Sequence, residues 1–230
     1  MRIVKDLSFM QYHWLNKNGN ENLIIFFCGW SFDYKPFERQ DCENYDVLVI
    51  YDYSDMNLPD LKSEYKTCQL VTWSMGVYVA YLLKDKLPKF DKKIAINGTP
   101  YPIHDDWGIP VKTFDLTLKY VDTGLQGKFQ KNLFKRAEDY EKYLKNPVER
   151  TIENQKAELI ALNNYIKGRK CEYEKFYDRA IISDTDKIIP TRNQLNFWQD
   201  KAETVVINSG HFPFFEFSSW KEIIDYADRP

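Results

Sequence analysis

Several protein classes depend on features this sequence has little of. Its 230 residues include four cysteines, Cys28, Cys42, Cys68 and Cys171, scattered and without a C-x-x-C pair. That spacing offers neither a zinc site nor a disulfide framework, and it suits a reducing cytoplasm, the compartment expected here. Histidine is scarcer still: His13, His104 and His211 are the full set. Charges interrupt the first residues, Met1-Arg2-Ile3-Val4-Lys5-Asp6, before the apolar core of a signal peptide can form. The longest strongly apolar run, residues 23–28, is far too short to span a bilayer, so no membrane role is expected. Neither charge dominates, with 32 Lys and Arg against 34 Asp and Glu and a net charge of −2. A general nucleic-acid partner is therefore not expected, because phosphate-binding surfaces carry a basic excess.

What is present is core-forming material. Hydrophobic residues make up 43% and aromatics 16%, with 16 Tyr, 15 Phe and 6 Trp. This excludes a disordered chain and fits one large domain, residues 1–230, better than two very small ones. Short runs rich in Val, Ile, Leu and Phe recur at 23–27, 47–51, 69–72, 93–96, 180–183 and 204–207. Near-continuous apolar runs of this length are the mark of strands covered on both faces, as in a parallel sheet. Helical patterns separate or follow several of them, at 75–83, 191–198 and 218–226. The alternation predicts an α/β layered fold. Between the fourth and fifth of these runs lie about eighty residues, far more than a crossover needs. Residues 109–177 are read as a helical lid inserted into the sheet domain, with helical patterns at 113–120, 128–145 and 147–165.

The sharpest motif is Val71-Thr72-Trp73-Ser74-Met75-Gly76-Val77. An apolar strand runs straight into Ser74, and a helical pattern starts after it. A serine on such a turn projects its hydroxyl above the sheet, beside the first amides of a helix. The pattern is a nucleophile elbow in which Gly76 meets the requirement for the later glycine and Thr72 replaces the earlier one. A plain helix N-cap serine has the same local preference. Serine needs a base. His211 follows the last strand, on the rim where an elbow would lie, whereas His13 and His104 read equally well as surface histidines. The base needs an acid. Asp184 and Asp186 both follow the strand at 180–183. Asp186 is favoured, since it stands four residues before Pro190, where a helix begins; turn-forming aspartates are the plain alternative. For an oxyanion hole, Met75 offers the amide after the serine. Trp30, after Gly29 in Cys28-Gly29-Trp30-Ser31, offers a second, and its indole would wall the pocket. In chain order these parts read as a Ser-His-Asp hydrolase of the α/β-hydrolase class: catalytic Ser74, Asp186 and His211, oxyanion donors Trp30 and Met75, and no cofactor or metal.

Further segments sharpen this. Phe26-Phe27-Cys28-Gly29-Trp30-Ser31-Phe32-Asp33, Tyr51-Asp52-Tyr53, Thr72-Trp73-Ser74-Met75-Gly76-Val77, Ile96-Asn97-Gly98-Thr99-Pro100, Gly108-Ile109-Pro110 and His211-Phe212-Pro213-Phe214 resemble the BioG-type pimeloyl-[acyl carrier protein] methyl ester esterases of biotin synthesis. Cys28 stands where Asn is expected before Gly-Trp. The resemblance implies hydrolysis of the methyl ester of pimeloyl-carrier protein, with Ser74 as nucleophile, Asp186 as acid, His211 as base, and Trp30 and Met75 as oxyanion donors. It also implies an acyl carrier protein as substrate-bearing partner. In the lid, Lys128, Lys131, Lys135 and Arg136 fall in a stretch without acids. At helical spacing the three lysines share one face, which would steer an acidic carrier; a solvated face is the alternative. Trp30 and Phe129 are the expected substrate contacts, with Phe134 a further pocket candidate. An acyl thioesterase, a short-chain esterase or a non-catalytic binding protein of the same fold would carry much of this pattern. A monomer is expected.

Overall fold

Strands dense in β-branched and aromatic residues form the centre of the molecule. The computed structural model describes residues 10–61, 64–168 and 172–229. These described residues form seven strands: β1 (Gln11–Asn16), β2 (Asn22–Phe27), β3 (Tyr45–Tyr51), β4 (Thr67–Trp73), β5 (Lys92–Ile96), β6 (Arg179–Ser183) and β7 (Glu203–Ile207). They make one sheet in the order β1-β3-β2-β4-β5-β6-β7. β1 pairs antiparallel with β3, and every other pairing is parallel. Six of the seven coincide with the apolar runs. β2 and the middle of β3 are buried throughout their apolar stretch because helices and loops cover both faces.

Among the described residues the α-helices are α1 (Met75–Leu82), α2 (Val111–Lys119), α3 (Val121–Gly124), α4 (Gln130–Asn132), α5 (Ala137–Leu144), α6 (Ile152–Lys167), α7 (Thr191–Trp198) and α8 (Trp220–Ala227). α1 is the most central, with seven consecutive residues buried. Five helices, α2 to α6, lie between β5 and β6, and a π-helical turn over Leu125–Phe129 joins α3 to α4. Side chains of this segment are part of the main core. Ile109, Phe114, Val121, Leu159 and Leu162 pack in one cluster with Ile25, Phe27, Met75 and Val77. Leu133, Phe134 and Tyr143 join the cluster on the other side of the sheet with Trp73, Phe212 and Trp220.

The helix expected over 128–145 is interrupted. Leu133 and Phe134 are 2% and 4% exposed. The Leu133 carbonyl accepts from the Phe212 amide at 2.9 Å, and the Phe134 ring packs on Tyr143 and Phe212. Burying two consecutive large side chains against a neighbouring loop is incompatible with a helix that presents only one face, so the chain bends before α5. The helix expected from 147 starts at Ile152, where Thr151 accepts from the Asn154 amide as N-cap. Among the described residues no helix is long and apolar enough to cross a membrane.

Candidate active site

β4 delivers Ser74 to the top of the sheet, and α1 begins at the next residue. Ser74 has φ 56° and ψ −123°, a conformation L-residues rarely hold, and its side chain makes no capping bond. The hydroxyl is thus free of the N-cap role and is turned to another partner. The crossing is tight. A Cβ on Gly76 would lie 2.3 Å from the Phe27 carbonyl oxygen, so strand and helix approach there only because glycine is present. Thr72 fits two residues before the serine because it is fully buried over β5, its hydroxyl donating to the Ile94 carbonyl at 3.0 Å.

His211 Nε2 lies 2.9 Å from Ser74 Oγ, and His211 Nδ1 lies 2.7 Å from Asp186 Oδ2. All three residues are buried, at 6% for Ser74, 8% for Asp186 and 2% for His211. Each is held from behind. The His211 carbonyl accepts from the Trp73 indole N–H at 2.8 Å and from Asn97 Nδ2 at 3.0 Å. Asn97 also donates to Ser183 Oγ and accepts from the Ser183 amide, which ties the end of β5 to the end of β6. The loop reaches its position because Gly210 has no Cβ; one would sit 2.6 Å from the Lys135 amide nitrogen. Asp186 Oδ1 accepts from the amides of Ile188 and Ile189, and Oδ2 accepts from Gln194 Nε2 as well as facing the imidazole.

Asp184 faces elsewhere. Both its carboxylate oxygens accept from Lys135 Nζ at 2.9 Å. Partial burial opposes its ionisation, but the Lys135 ammonium and the Thr185 hydroxyl outweigh this and hold the carboxyl below its usual range. The other histidines are also engaged: His13 stacks on Tyr34, while His104 stacks on Trp107 and accepts from the Asp106 amide.

The loop after β2 closes the site. A Cβ on Gly29 would lie 3.2 Å from Ser74 Cβ, so this loop passes directly over the serine. Trp30 follows it, donating its indole N–H to the Gln155 carbonyl at 2.8 Å and packing edge-on against Phe129. Met75 supplies the first amide of α1. A cavity of about 230 Å³ opens on Ser74 and His211. Trp30, Met75, Ile109, Phe114, Phe129 and Leu159 make its wall mainly apolar, and Lys128 and Lys187 are the lysines on it.

A serine, an imidazole and a carboxylate in hydrogen-bonded series beneath an apolar cavity can support acyl transfer through a serine nucleophile. A family model described as pimeloyl-ACP methyl esterase BioG matches residues 10–223. The chain belongs to the BioG family. This is a family of carboxylic ester hydrolases on the α/β-hydrolase fold. The crystal structure of BioG from Haemophilus influenzae superposes with a TM-score of 0.87 at 30% identity, covering 95% of this chain and 100% of that one. An esterase from Exiguobacterium antarcticum shares the fold alone, with a TM-score of 0.65 at 16% identity over 96% of each chain. A malonyl-[acyl-carrier protein] O-methyltransferase of Bacteroides fragilis is 34% identical over 184 residues, 76% of this chain. The present chain spans 36% of that relative's length.

Against this BioG-family frame, the structure brings Ser74, Asp186 and His211 into contact and sets Trp30, Met75 and Phe129 around the cavity. It does not form the expected lysine face. Lys128 lies in the π-helical turn and Lys131 in α4, and the buried Leu133-Phe134 pair ends the helix before Lys135, which lies in the bend before α5. Lys135 is paired with Asp184, and Arg136 with Asp139 and Glu216. Phe134 packs in the core beside Tyr143 and Phe212 and does not line the cavity. Sequence reasoning missed three supports. Asn97 was visible as a motif but without a role, Trp73 as a flank of the serine, and Gln194 gave no signal at all. Among the described residues no group of three or more His, Cys, Asp or Glu is placed to hold a metal. Burial raises the described thiols, Cys28 well above its usual range, Cys42 to about 11 and Cys68 to about 12, so none is a ready thiolate at neutral pH. Cys171 lies outside the described residues.

Proposed function

We propose that the protein hydrolyses the methyl ester of pimeloyl-[acyl carrier protein], releasing methanol and the free carboxylate for biotin synthesis. The observation that carries this reading is the unbroken Ser74–His211–Asp186 series at the base of an apolar cavity, in a chain of the BioG family. Ser74 attacks the ester carbonyl while His211 Nε2 takes its proton. Asp186, itself held by Gln194 and two amides, keeps the Nδ1–H tautomer in place and stabilises the imidazolium. The developing alkoxide receives the amides of Met75 and Trp30. His211 returns the proton to the departing methoxide, and then activates the water that frees the acid.

In this proposal the segment from α2 to α6 is a lid whose apolar side covers the seven-carbon chain. An acyl carrier protein presents the substrate, and the exposed Lys128 and Lys131 are the cations of the original cluster still available to an acidic partner. Lys128 also lines the cavity, so the test is made at Lys131 alone: reversing its charge should raise the KM for the carrier-bound ester several-fold and leave a small methyl ester unchanged, and equal changes on both substrates would contradict carrier steering. The overall assignment is tested by growth without biotin of a strain lacking its own pimeloyl methyl esterase. The wild-type chain should restore growth and Ser74→Ala should not; growth with Ser74→Ala would refute the mechanism.

A further inference from the structure

Glu158 is a 0% exposed residue of α6 to which the mechanism above gives no role. A carboxylate so deep is retained only where charges and donors surround it. Glu158 Oε2 accepts from the Ser31 amide at 3.1 Å and from Arg150 Nη1 at 2.7 Å, and Oε1 accepts from the Tyr53 amide at 3.0 Å. Arg150 in turn donates to the Phe32 carbonyl at 3.1 Å and stands 3.3 Å from an Asp52 carboxylate oxygen. One buried pair from the segment around α6 therefore grips two loops at once, the one after β2 and the one after β3. Both loops hold a residue with positive φ, Ser31 at 71° and Asp52 at 60°. Such conformations persist only when the surroundings hold them.

The gripped residue Ser31 directly follows Trp30. The Phe32 amide donates to the Gly29 carbonyl across this turn, and the Trp30 indole is bound to the Gln155 carbonyl of α6. Trp30 is thereby fixed at its indole and at the peptide that leaves it, both times by α6. We infer that Glu158 is a positioning residue: its carboxylate, balanced by Arg150, fixes the Gly29–Phe32 turn so that the Trp30 amide points at the alkoxide. This rests on the reading of Trp30 as an oxyanion donor. It also makes this end of α6 part of the catalytic frame, so that displacing it from the body would dismantle the donor.

The test uses the purified full chain carrying Glu158→Gln, which keeps the shape, removes the charge and turns a donor toward one of the amides. Hydrolysis of a short methyl ester is measured with inhibition by an alkyl trifluoromethyl ketone, whose serine adduct bears the oxyanion. A misdirected donor should lower kcat by about 10- to 100-fold with KM within about threefold, and weaken the ketone by the same factor as kcat. A merely structural ion pair would lower the melting temperature and leave kcat and ketone affinity of the folded fraction unchanged, which would overturn the inference. If Glu158→Gln does not fold, Glu158→Asp, which keeps the charge beside Arg150, is read by the same criteria: a kcat deficit in a folded protein supports positioning, and a wild-type kcat overturns it. Ser74→Ala is run alongside. Hydrolysis surviving there, or failure of the ketone to inhibit wild type, overturns the underlying reading of the site. Loss in Ser74→Ala with wild-type behaviour in Glu158→Gln overturns the positioning role alone.

Discussion

In the proposed mechanism Asp186 is the side chain that orients the base. Four nitrogen groups surround its carboxylate: the Ile188 and Ile189 amides, Gln194 Nε2 and His211 Nδ1. The three protein donors leave Oδ2 facing the imidazole, so His211 must carry its proton on Nδ1 and present a basic Nε2 to Ser74. Asp186→Asn keeps the volume and reverses this logic, because an amide NH₂ in that place favours the opposite tautomer. The expected result is a fall in kcat of about 10⁴-fold with the fold retained, measured by steady-state hydrolysis and circular dichroism. A fall below tenfold would mean that the carboxylate does not set the tautomer. The aspartate was legible because it follows a strand and precedes a proline. Gln194 was not, since a glutamine eight residues away on an amphipathic helix looks like any surface residue until α7 is folded back over the loop.

At the level of elements, the strands that carry the site were legible because burial on both faces demands unbroken apolar runs, and β2, β4, β5 and β6 supply them. β1 was not. It lies at the sheet edge, none of its residues is buried, and Gln-Tyr-His-Trp-Leu-Asn lacks the pattern of a covered strand. Its link to the next strand is held instead by Asp46 at the start of β3. The Asp46 carboxylate accepts from the amides of Asn18, Gly19 and Asn20, the Asn20 side chain and the Tyr65 hydroxyl. Burial alone would raise its pKa, but these donors outweigh burial and hold it below 3.8. Its stabilisation is therefore complete above about pH 4 and lost as pH falls through the lowered folded value. Asp46→Asn should cost about 2 kcal/mol in urea unfolding at neutral pH, with the deficit shrinking as pH falls below about 4. A deficit that does not change with pH would assign the effect to packing. The break before α5 was illegible for a related reason: only the folded loop around Phe212 supplies the surface that takes Leu133 and Phe134 out of helical register.

Across the whole molecule, the site is assembled from chain segments distant in sequence, with Asn97 as the tie between them. Standing just after β5, it binds Ser183 at the end of β6 and, with Trp73, the His211 carbonyl. Asn97→Ala should remove that tie and cost about 2–3 kcal/mol, since it leaves the buried Ser183 amide without its Asn97 acceptor and takes one of the donors from the His211 carbonyl; thermal unfolding at wild-type temperature would contradict it. The same architecture bears on the choice of bond. A carrier-bound methyl ester holds two acyl carbons, the distal ester and the thioester at the arm, and only the orientation of the chain in the cavity decides which meets Ser74. The most direct measurement is therefore mass analysis of the carrier protein after incubation of its pimeloyl methyl ester with the purified chain. The expected result is loss of the methyl group with the acyl chain still attached to the carrier, and no change with Ser74→Ala. Free carrier protein from the wild-type reaction, or demethylation by Ser74→Ala, would contradict it.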